Sequence, residues 1–435
     1  MKTKKLSPVL IILLSYILLI LFGTVLLSLP AAMASGESMG FIDALFMSAS
    51  AICVTGLSTL TNLGVTLSTF GKVVIGILME LGGLGFITYA IFFLVMIGGK
   101  VGIGDRMLIK EVLNLDSGKG IVKNLLTIVL ITICCQIVGA IATFLIIKGS
   151  YPTLDAIGIS LFHAISAFNN VGFDIFGYDN SLINFADNIP LNIITMLLII
   201  VGGFGFITMQ ELIKKRKWKD FSLTSKIVLP SIPILVLGGA IILKIIMGGN
   251  ITFLQSLSLS VSSRTAGFTT IDLNSLNSAA HIVLIILMFI GGTPCSIAGG
   301  IKITTAFVIL ASFFQVRRGN GVNIFKRKIT SDTVIRAFCL ATFSIIIVAV
   351  ASFIICALSG VSLSASVLEV VSAFSNTGFS LGITPTLTGV SKFIVVLVMF
   401  IGKLGPLAVI SLWNKNISGQ TDNGIDYPEG KIMIG

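Results

Sequence analysis

Charge is what this chain lacks most. Only 11% of its 435 residues are Asp, Glu, Lys or Arg, against about 25% in a soluble domain. With 55% hydrophobic residues and a mean hydropathy of +1.06, a soluble globular enzyme and a disordered chain are both excluded. Histidine is nearly absent. His163 and His281 stand alone, without metal-ligand spacing, and read as packing residues. The six cysteines (Cys53, Cys134, Cys135, Cys295, Cys339, Cys356) lie in apolar surroundings without CxxC spacing, so they read as reduced structural thiols. An integral-membrane enzyme would need a His/Asp/Glu constellation at the membrane face, and none is visible. Nucleotide binding by the glycine clusters would need a βαβ context, which is also missing.

Apolar runs are what is there. They lie near 9–29, 72–98, 124–147, 189–213, 227–247, 280–315, 333–357 and 391–414, giving eight candidate transmembrane helices. Val9 to Leu29 is too long for a signal-peptide core and reads as a first helix that stays. Four shorter apolar stretches, 40–53, 155–169, 252–264 and 363–376, cannot cross a bilayer and read as re-entrant helices.

The net charge of +11 sits between the apolar runs. It reads as a positive-inside signal rather than a nucleic-acid surface. Lysines and arginines concentrate in 1–8, 99–123, 214–226, 316–332 and 415–435. The alternate segments carry acids such as Glu37, Asp43, Asp155, Asp174 and Asp272. Both termini are therefore expected in the cytosol, with an acidic outer rim that attracts cations.

An internal repeat organises the chain. FMSASAICVTGLSTLTN (46–62), FHAISAFNNVGFDIFG (162–177), LSVSSRTAGFTTIDLN (259–274) and EVVSAFSNTGFSLGIT (369–384) share small residues, a polar stretch, and a glycine before a large apolar residue. A second glycine cluster follows each: GGLGF (82–86), GGFGF (202–206), GGTPCSIAGG (291–300) and GKLGP (402–406). The chain divides into repeats at 1–99, 100–213, 214–315 and 316–414, with a tail at 415–435. The expected fold is all-α and integral to the membrane: four pseudo-symmetric helix–re-entrant loop–helix repeats around a central pore.

Non-helical backbone at membrane depth survives only where it is buried or lines a wet cavity. Four glycine turns about one axis can present a ring of carbonyl oxygens that replaces the hydration shell of a monovalent cation. The short helices add the negative ends of their dipoles. The candidate ion-binding residues are Val54, Thr55 and Gly56; Asn170, Val171 and Gly172; Thr265, Ala266 and Gly267; and Asn376, Thr377 and Gly378. A divalent-cation site would want acids there. Asp174, just past the second turn, is assigned to the mouth.

These residues resemble the Ktr/Trk/HKT superfamily of potassium transporters, most of all the bacterial KtrB-type membrane subunit, over nearly the whole chain. TrkH-like chains carry an additional helical pair before the first re-entrant helix, where this chain has only Val9–Leu29. Some plant HKT relatives have serine at the first filter glycine, which goes with sodium selectivity. All four glycines here imply potassium preference, with other monovalent cations, sodium included, as the alternative on the same scaffold.

Four glycines and Pro294 within ten residues cannot sustain a helix, so 280–315 is expected as two half-helices joined by a loop. The resemblance implies that this loop, Gly291, Gly292, Thr293, Pro294, Cys295, Ser296, Ile297, Ala298, Gly299 and Gly300, is a gate. Lys403 replaces the arginine frequent there in the family, and is expected to set an electrostatic barrier or to bond loop carbonyls. Lys302 is expected either to snorkel toward the cytosol or to stay with the loop. Arg264, also an arginine in the family, is expected to brace the filter backbone or to pair with an acid such as Glu369. Glu80 is deep and needs a partner. Glu211 reads as interfacial.

The resemblance further implies a homodimer in the bacterial inner (cytoplasmic) membrane, potassium as the transported ion, and sodium-dependent uptake. It also implies a cytosolic ring of RCK-type, KtrA-like subunits. No covalent cofactor is implied, and ATP or ADP is expected on the ring rather than on this chain. The basic loops 99–123, 214–219 and 317–328 are its expected docking surface.

Overall fold

The computed structural model describes residues 8–97, 101–102, 121–176, 182–215, 217–294, 296–316 and 322–405. The basic loop 103–120, Arg216, Cys295, residues 317–321 and the tail 415–435 lie outside them. Four long helices stand out: α1 (Pro8–Leu27), α5 (Ile121–Ile147), α9 (Leu223–Met247) and α13 (Ser331–Ser359). At 1.5 Å per residue each is long enough for about 30 Å of hydrocarbon. Their outer faces expose large apolar side chains such as Leu18, Val138, Ile245 and Phe353, as a lipid-solvated surface does.

Each long helix packs on a short apolar helix: α2 (Phe41–Cys53), α6 (Thr153–Phe168), α10 (Phe253–Ser262) and α14 (Leu363–Ser375). These match the four stretches expected to be re-entrant. A second helix follows in each repeat: α3 (Thr69–Leu84), α7 (Ile189–Gly203), α11 (Ser278–Phe289) and α15 (Gly389–Leu404). The start of each is set by a polar N-cap. The side chains of Ser68, Asn188, Asn277 and Thr388 accept from the amides of Gly71, Leu191, Ala280 and Ser391, satisfying donors that a helix start leaves free.

The repeats close into a ring. The second helix of each repeat packs on the short helix of the next: α3 on α6, α7 on α10, α11 on α14, and α15 back on α2. The core lies on this ring. The residue after each turn glycine, Leu57, Phe173, Phe268 or Phe379, is fully buried.

The second helices differ from the sequence expectation. Only the third was expected to break. The chain turns by 94° between Thr69–Leu84 and the helix that follows it, α4 (Phe86–Met96), and by 96° between α7 and α8 (Phe206–Lys214). The cause is one glycine in each cluster. Gly85 has φ 82° and ψ 136°, and Gly205 has φ 81° and ψ 124°, a region that only glycine enters at little cost. Gly405, which ends α15, has φ 85°. In the third repeat α11 and α12 (Ile303–Val316) are separated by non-helical residues, as expected. The runs 72–98 and 189–213 are thus bent pairs rather than straight spans.

A two-stranded hairpin, β1 (Asn323–Ile324) with β2 (Arg327–Lys328), lies between repeats three and four. The sequence predicts only a basic loop there. Its turn residues Phe325 and Lys326 both have positive φ, as a tight two-residue hairpin requires. The Phe325 ring meets Trp218 edge-on.

Candidate functional site

The short helices end in a shared cap. Val54, Asn170 and Asn376 are left-handed, with φ of 63°, 54° and 54°. Their amides bond three residues back, to Ala51, Ala167 and Ala373. The next amides, of Thr55, Val171 and Thr377, reach five residues back to the carbonyls of Ser50, Ser166 and Ser372 at 2.8–2.9 Å. This is the Schellman pattern. The third turn varies it: Ala266 and Gly267 both donate to Ser262, and Thr265 has φ 74°. Glycine is the residue that enters positive φ at little cost. The four turn glycines have it, at 85°, 91°, 71° and 97° for Gly56, Gly172, Gly267 and Gly378. Each turn also carries a left-handed residue two positions earlier. Asparagine tolerates that conformation, whereas valine and threonine are uncommon in it, so only two of the four had a sequence signal.

The four turns meet. A side chain added at Gly56 would strike the carbonyl of Val171, at Gly172 that of Ala266, at Gly267 that of Thr377, and at Gly378 that of Thr55. Each glycine therefore abuts the carbonyl that precedes the next repeat's glycine, and the sequence of contacts closes on itself. The side chains of Thr55, Val171, Ala266 and Thr377 are buried. Asn376 Nδ2 donates to Thr55 Oγ1 at 2.8 Å, bridging repeats four and one, and also contacts Met399 O at 3.2 Å. Asn170, with its amide oriented to suit its surroundings, donates to Ile199 O at the equivalent place in repeat two. All four glycines line one cavity of about 270 Å³, with Asp174 and Asp272 at its wall. Nearby, Tyr151 donates to the carbonyl of Phe176. Burial and the adjacent Asp174 push its phenol above the usual value.

The second glycine clusters bring backbones together behind the turns. Gly82, Gly202 and Gly402 sit against the carbonyls of Ile52, Phe168 and Phe374, where any Cβ would collide.

The glycine-rich loop of repeat three lies against two other repeats. Thr293 Oγ1 donates to Gly203 O at 2.9 Å, and Gly205 faces Thr293 and Pro294. Gly299 and Gly300 press on Ser375 and Asn376 of the fourth turn. The loop's ends are tied by Ile301 N to Phe289 O and Ile303 N to Gly292 O, and Ser296 Oγ donates to Thr293 O. Two lysines hold its carbonyls: Lys403 Nζ donates to Ile297 O at 3.1 Å, and Lys302 Nζ to Ala298 O at 2.6 Å. Lys302 thus stays with the loop rather than extending away from it.

Other ionisable residues find their places. Glu80 accepts from Gln136 Nε2 and Asn169 Nδ2, both at 2.7 Å, and from the Tyr89 hydroxyl. Glu211 accepts from Lys215 at 2.6 Å and from the Ser222 amide at 3.0 Å. Among the described residues Arg264 makes no ion pair with Glu369, which instead accepts from the Thr384 hydroxyl. Arg264 lies beside Ile199, Ile200, Gly203 and Asn170, at a small cavity between repeats two and three. His163 contacts Thr195 Oγ1 at 2.8 Å and His281 contacts Leu273 O at 2.9 Å.

A chain whose short helices end in a closed ring of glycine turns invites comparison with known cation transporters. The family model of TrkH, a cation transport protein, matches residues 10–232 and 221–419. The chain belongs to this family. The potassium/sodium uptake protein NtpJ of Enterococcus hirae is 36% identical over 99% of this chain and 98% of its own length. The Ktr system potassium uptake protein B of Bacillus subtilis is 33% identical over 100% and 98%. The crystal structure of the potassium transporter TrkH from Vibrio parahaemolyticus superposes with a TM-score of 0.75 at 20% identity, covering 95% of this chain and 86% of that one, and so shares the fold. The resemblance read from the motifs holds, and the protein is a multi-pass membrane cation transporter rather than an enzyme.

Proposed function

We propose that this TrkH-family protein is the potassium-translocating membrane subunit of a Ktr-type uptake system. The observation that carries the reading is the closed succession of turns, in which each glycine abuts the carbonyl of the next repeat. Four carbonyl oxygens, of Thr55, Val171, Ala266 and Thr377, can then stand in for a dehydrating cation's water. Val54, Asn170, Thr265 and Asn376, with the four glycines, fix the backbone that aims them. The helix C-termini behind them favour positive charge. Relatives named as potassium uptake proteins support the choice of ion.

Residues 291–300 serve as the gate in this reading. The loop lies against the turn of repeat four, and Lys403 and Lys302 donate to its carbonyls, which supports a loop held closed. Opening would require these bonds to break or shift. A cytosolic nucleotide-binding ring, recruited by the basic loops, would supply that work, and the subunit would act as a homodimer with a pore in each protomer. In this reading both termini lie in the cytosol of a bacterial inner membrane, which the positive-inside distribution of charge supports.

Sodium passage is the second reading, favoured by the relative whose name carries both ions. Uptake in a bacterium lacking its own potassium importers separates the two. The chain is expressed with and without a KtrA-like partner, as wild type and as Gly378→Ser. Rescue at low potassium, with potassium preference lost in Gly378→Ser, is the expected result. Rescue indifferent to Gly378→Ser would overturn the filter assignment. Sodium flux without potassium flux in reconstituted protein would establish the second reading.

A further inference from the structure

The ring has four junctions between neighbouring repeats, and they are not alike. The residue three positions before each turn glycine differs from repeat to repeat. Those residues are Asn169, Arg264, Ser375 and Cys53. Two positions before the first glycine of each second cluster, Gly82, Gly202, Gly291 and Gly402, stand Glu80, Ile200, Phe289 and Phe400. At this position a carboxylate occurs in repeat one alone.

That carboxylate has no cationic partner in an ion pair among the described residues, but three neutral donors converge on it. Asn169 comes from the cap of α6, one residue before the left-handed Asn170. Gln136 comes from the middle of α5. Tyr89 comes from α4, beyond the sharp turn at Gly85. Gly83, on α3, leaves the room that the Asn169 side chain fills, and a Cβ there would collide with it. Three elements and one turn are therefore tied to a single side chain. From Asn169 the path is short: Asn170 is left-handed, and the next carbonyl, of Val171, abuts Gly56.

We propose that Glu80 is a positioning residue for the ion path: it fixes the repeat-two turn, and hence the Val171 carbonyl, relative to the elbow at Gly85. Movement of α4 is felt at the ring through Tyr89, Glu80 and Asn169. The proposal rests on the potassium-transport reading. A half-buried carboxylate with three donors is a network whose members depend on one another. Replacing it by an amide removes the charge and leaves one acceptor oxygen for three donors, so that the –NH₂ must face either the Tyr89 hydroxyl or the –NH₂ groups of Asn169 and Gln136.

The test uses the purified full chain reconstituted in vesicles: wild type, Glu80→Gln, and Glu80→Gln with Gln136→Glu. The double variant returns a carboxylate to the same network from the neighbouring helix. Two quantities are read: the KM for rubidium uptake with sodium as competitor, and the rise in Tm on adding potassium rather than sodium. Expected is a rise in KM of about fivefold or more for Glu80→Gln, a smaller change in maximal rate, and recovery to within about twofold in the double variant. The Tm difference between potassium and sodium should shrink and recover in parallel. A single variant within twofold of wild type overturns the proposal, as does a defect that the double variant leaves unchanged. If Glu80→Gln does not accumulate, Tyr89→Phe carries the test, since it removes only the hydroxyl tie to the elbow. An unchanged KM there overturns the proposal. A wild type stabilised equally by sodium and potassium, and without rubidium uptake, overturns the transport reading itself and the proposal with it.

Discussion

Asn376 shows how one side chain can fix both a backbone and an interface. It sits left-handed at the end of α14, donates to Thr55 Oγ1 in the first turn, and is covered by Gly299 of the loop. Losing a buried hydrogen bond while leaving its partner unsatisfied costs about 1–3 kcal/mol. Asn376→Ala is expected to lower Tm by several degrees and to raise the KM for potassium, measured as rubidium uptake. Asn376→Asp keeps an acceptor but no donor toward Thr55 and should do the same. At Lys403 the expectation has the opposite sign for flux. Lys403→Met frees the Ile297 carbonyl and should raise uptake in the absence of any cytosolic partner, whereas Lys403→Arg should remain near wild type. Equal basal uptake in all three would separate Lys403 from gating. The glycines, the asparagines and Lys403 were legible in the sequence. The left-handed Val54 and Thr265 were not, because their residue types argue against that conformation and only the surrounding bonds impose it. The expected pairing of Arg264 with Glu369 is not made among the described residues, where one oxygen of that carboxylate accepts from Thr384.

Elements repeat more faithfully than residues do. The short helices and the polar starts of the second helices recur four times and the end cap three times. The helix boundaries agree with the apolar runs to within a few residues, except that α15 ends at Leu404 and the end of its run lies outside the described residues. The elbows at Gly85 and Gly205 were missed for a physical reason. Hydropathy is continuous through them, and a single glycine in a membrane helix is usually tolerated without a turn. Their signal was the second glycine cluster, read as a recurrence without its geometric consequence. Gly205→Ala tests the elbow directly. Alanine at φ 81° is strained by roughly 1–2 kcal/mol, and its Cβ would meet Thr293 and Pro294 of the loop. Expected are a lower Tm and a higher partner-free flux. Thr293→Val removes only the bond to Gly203 O and should reproduce the flux change with a smaller loss of Tm. A flux change in neither variant would mean that the loop does not depend on the elbow.

For the whole molecule, closure is the property that matters. Each repeat contributes its second helix to its neighbour's short helix, so one chain completes the ring without a second copy. A dimer would therefore add stability and a platform for a cytosolic ring rather than complete the pore. Light scattering of the purified protein should give twice the chain mass, and transport should scale with protomers rather than with the square of their concentration. The central claim, a cation held by carbonyls from all four turns, is tested most directly by anomalous scattering from crystals grown in rubidium. Expected is a peak on the pseudo-fourfold axis, within direct coordination distance of the Thr55, Val171, Ala266 and Thr377 carbonyls. A peak only beside Asp174 and Asp272 in the cavity, with none at the four carbonyls, would contradict it.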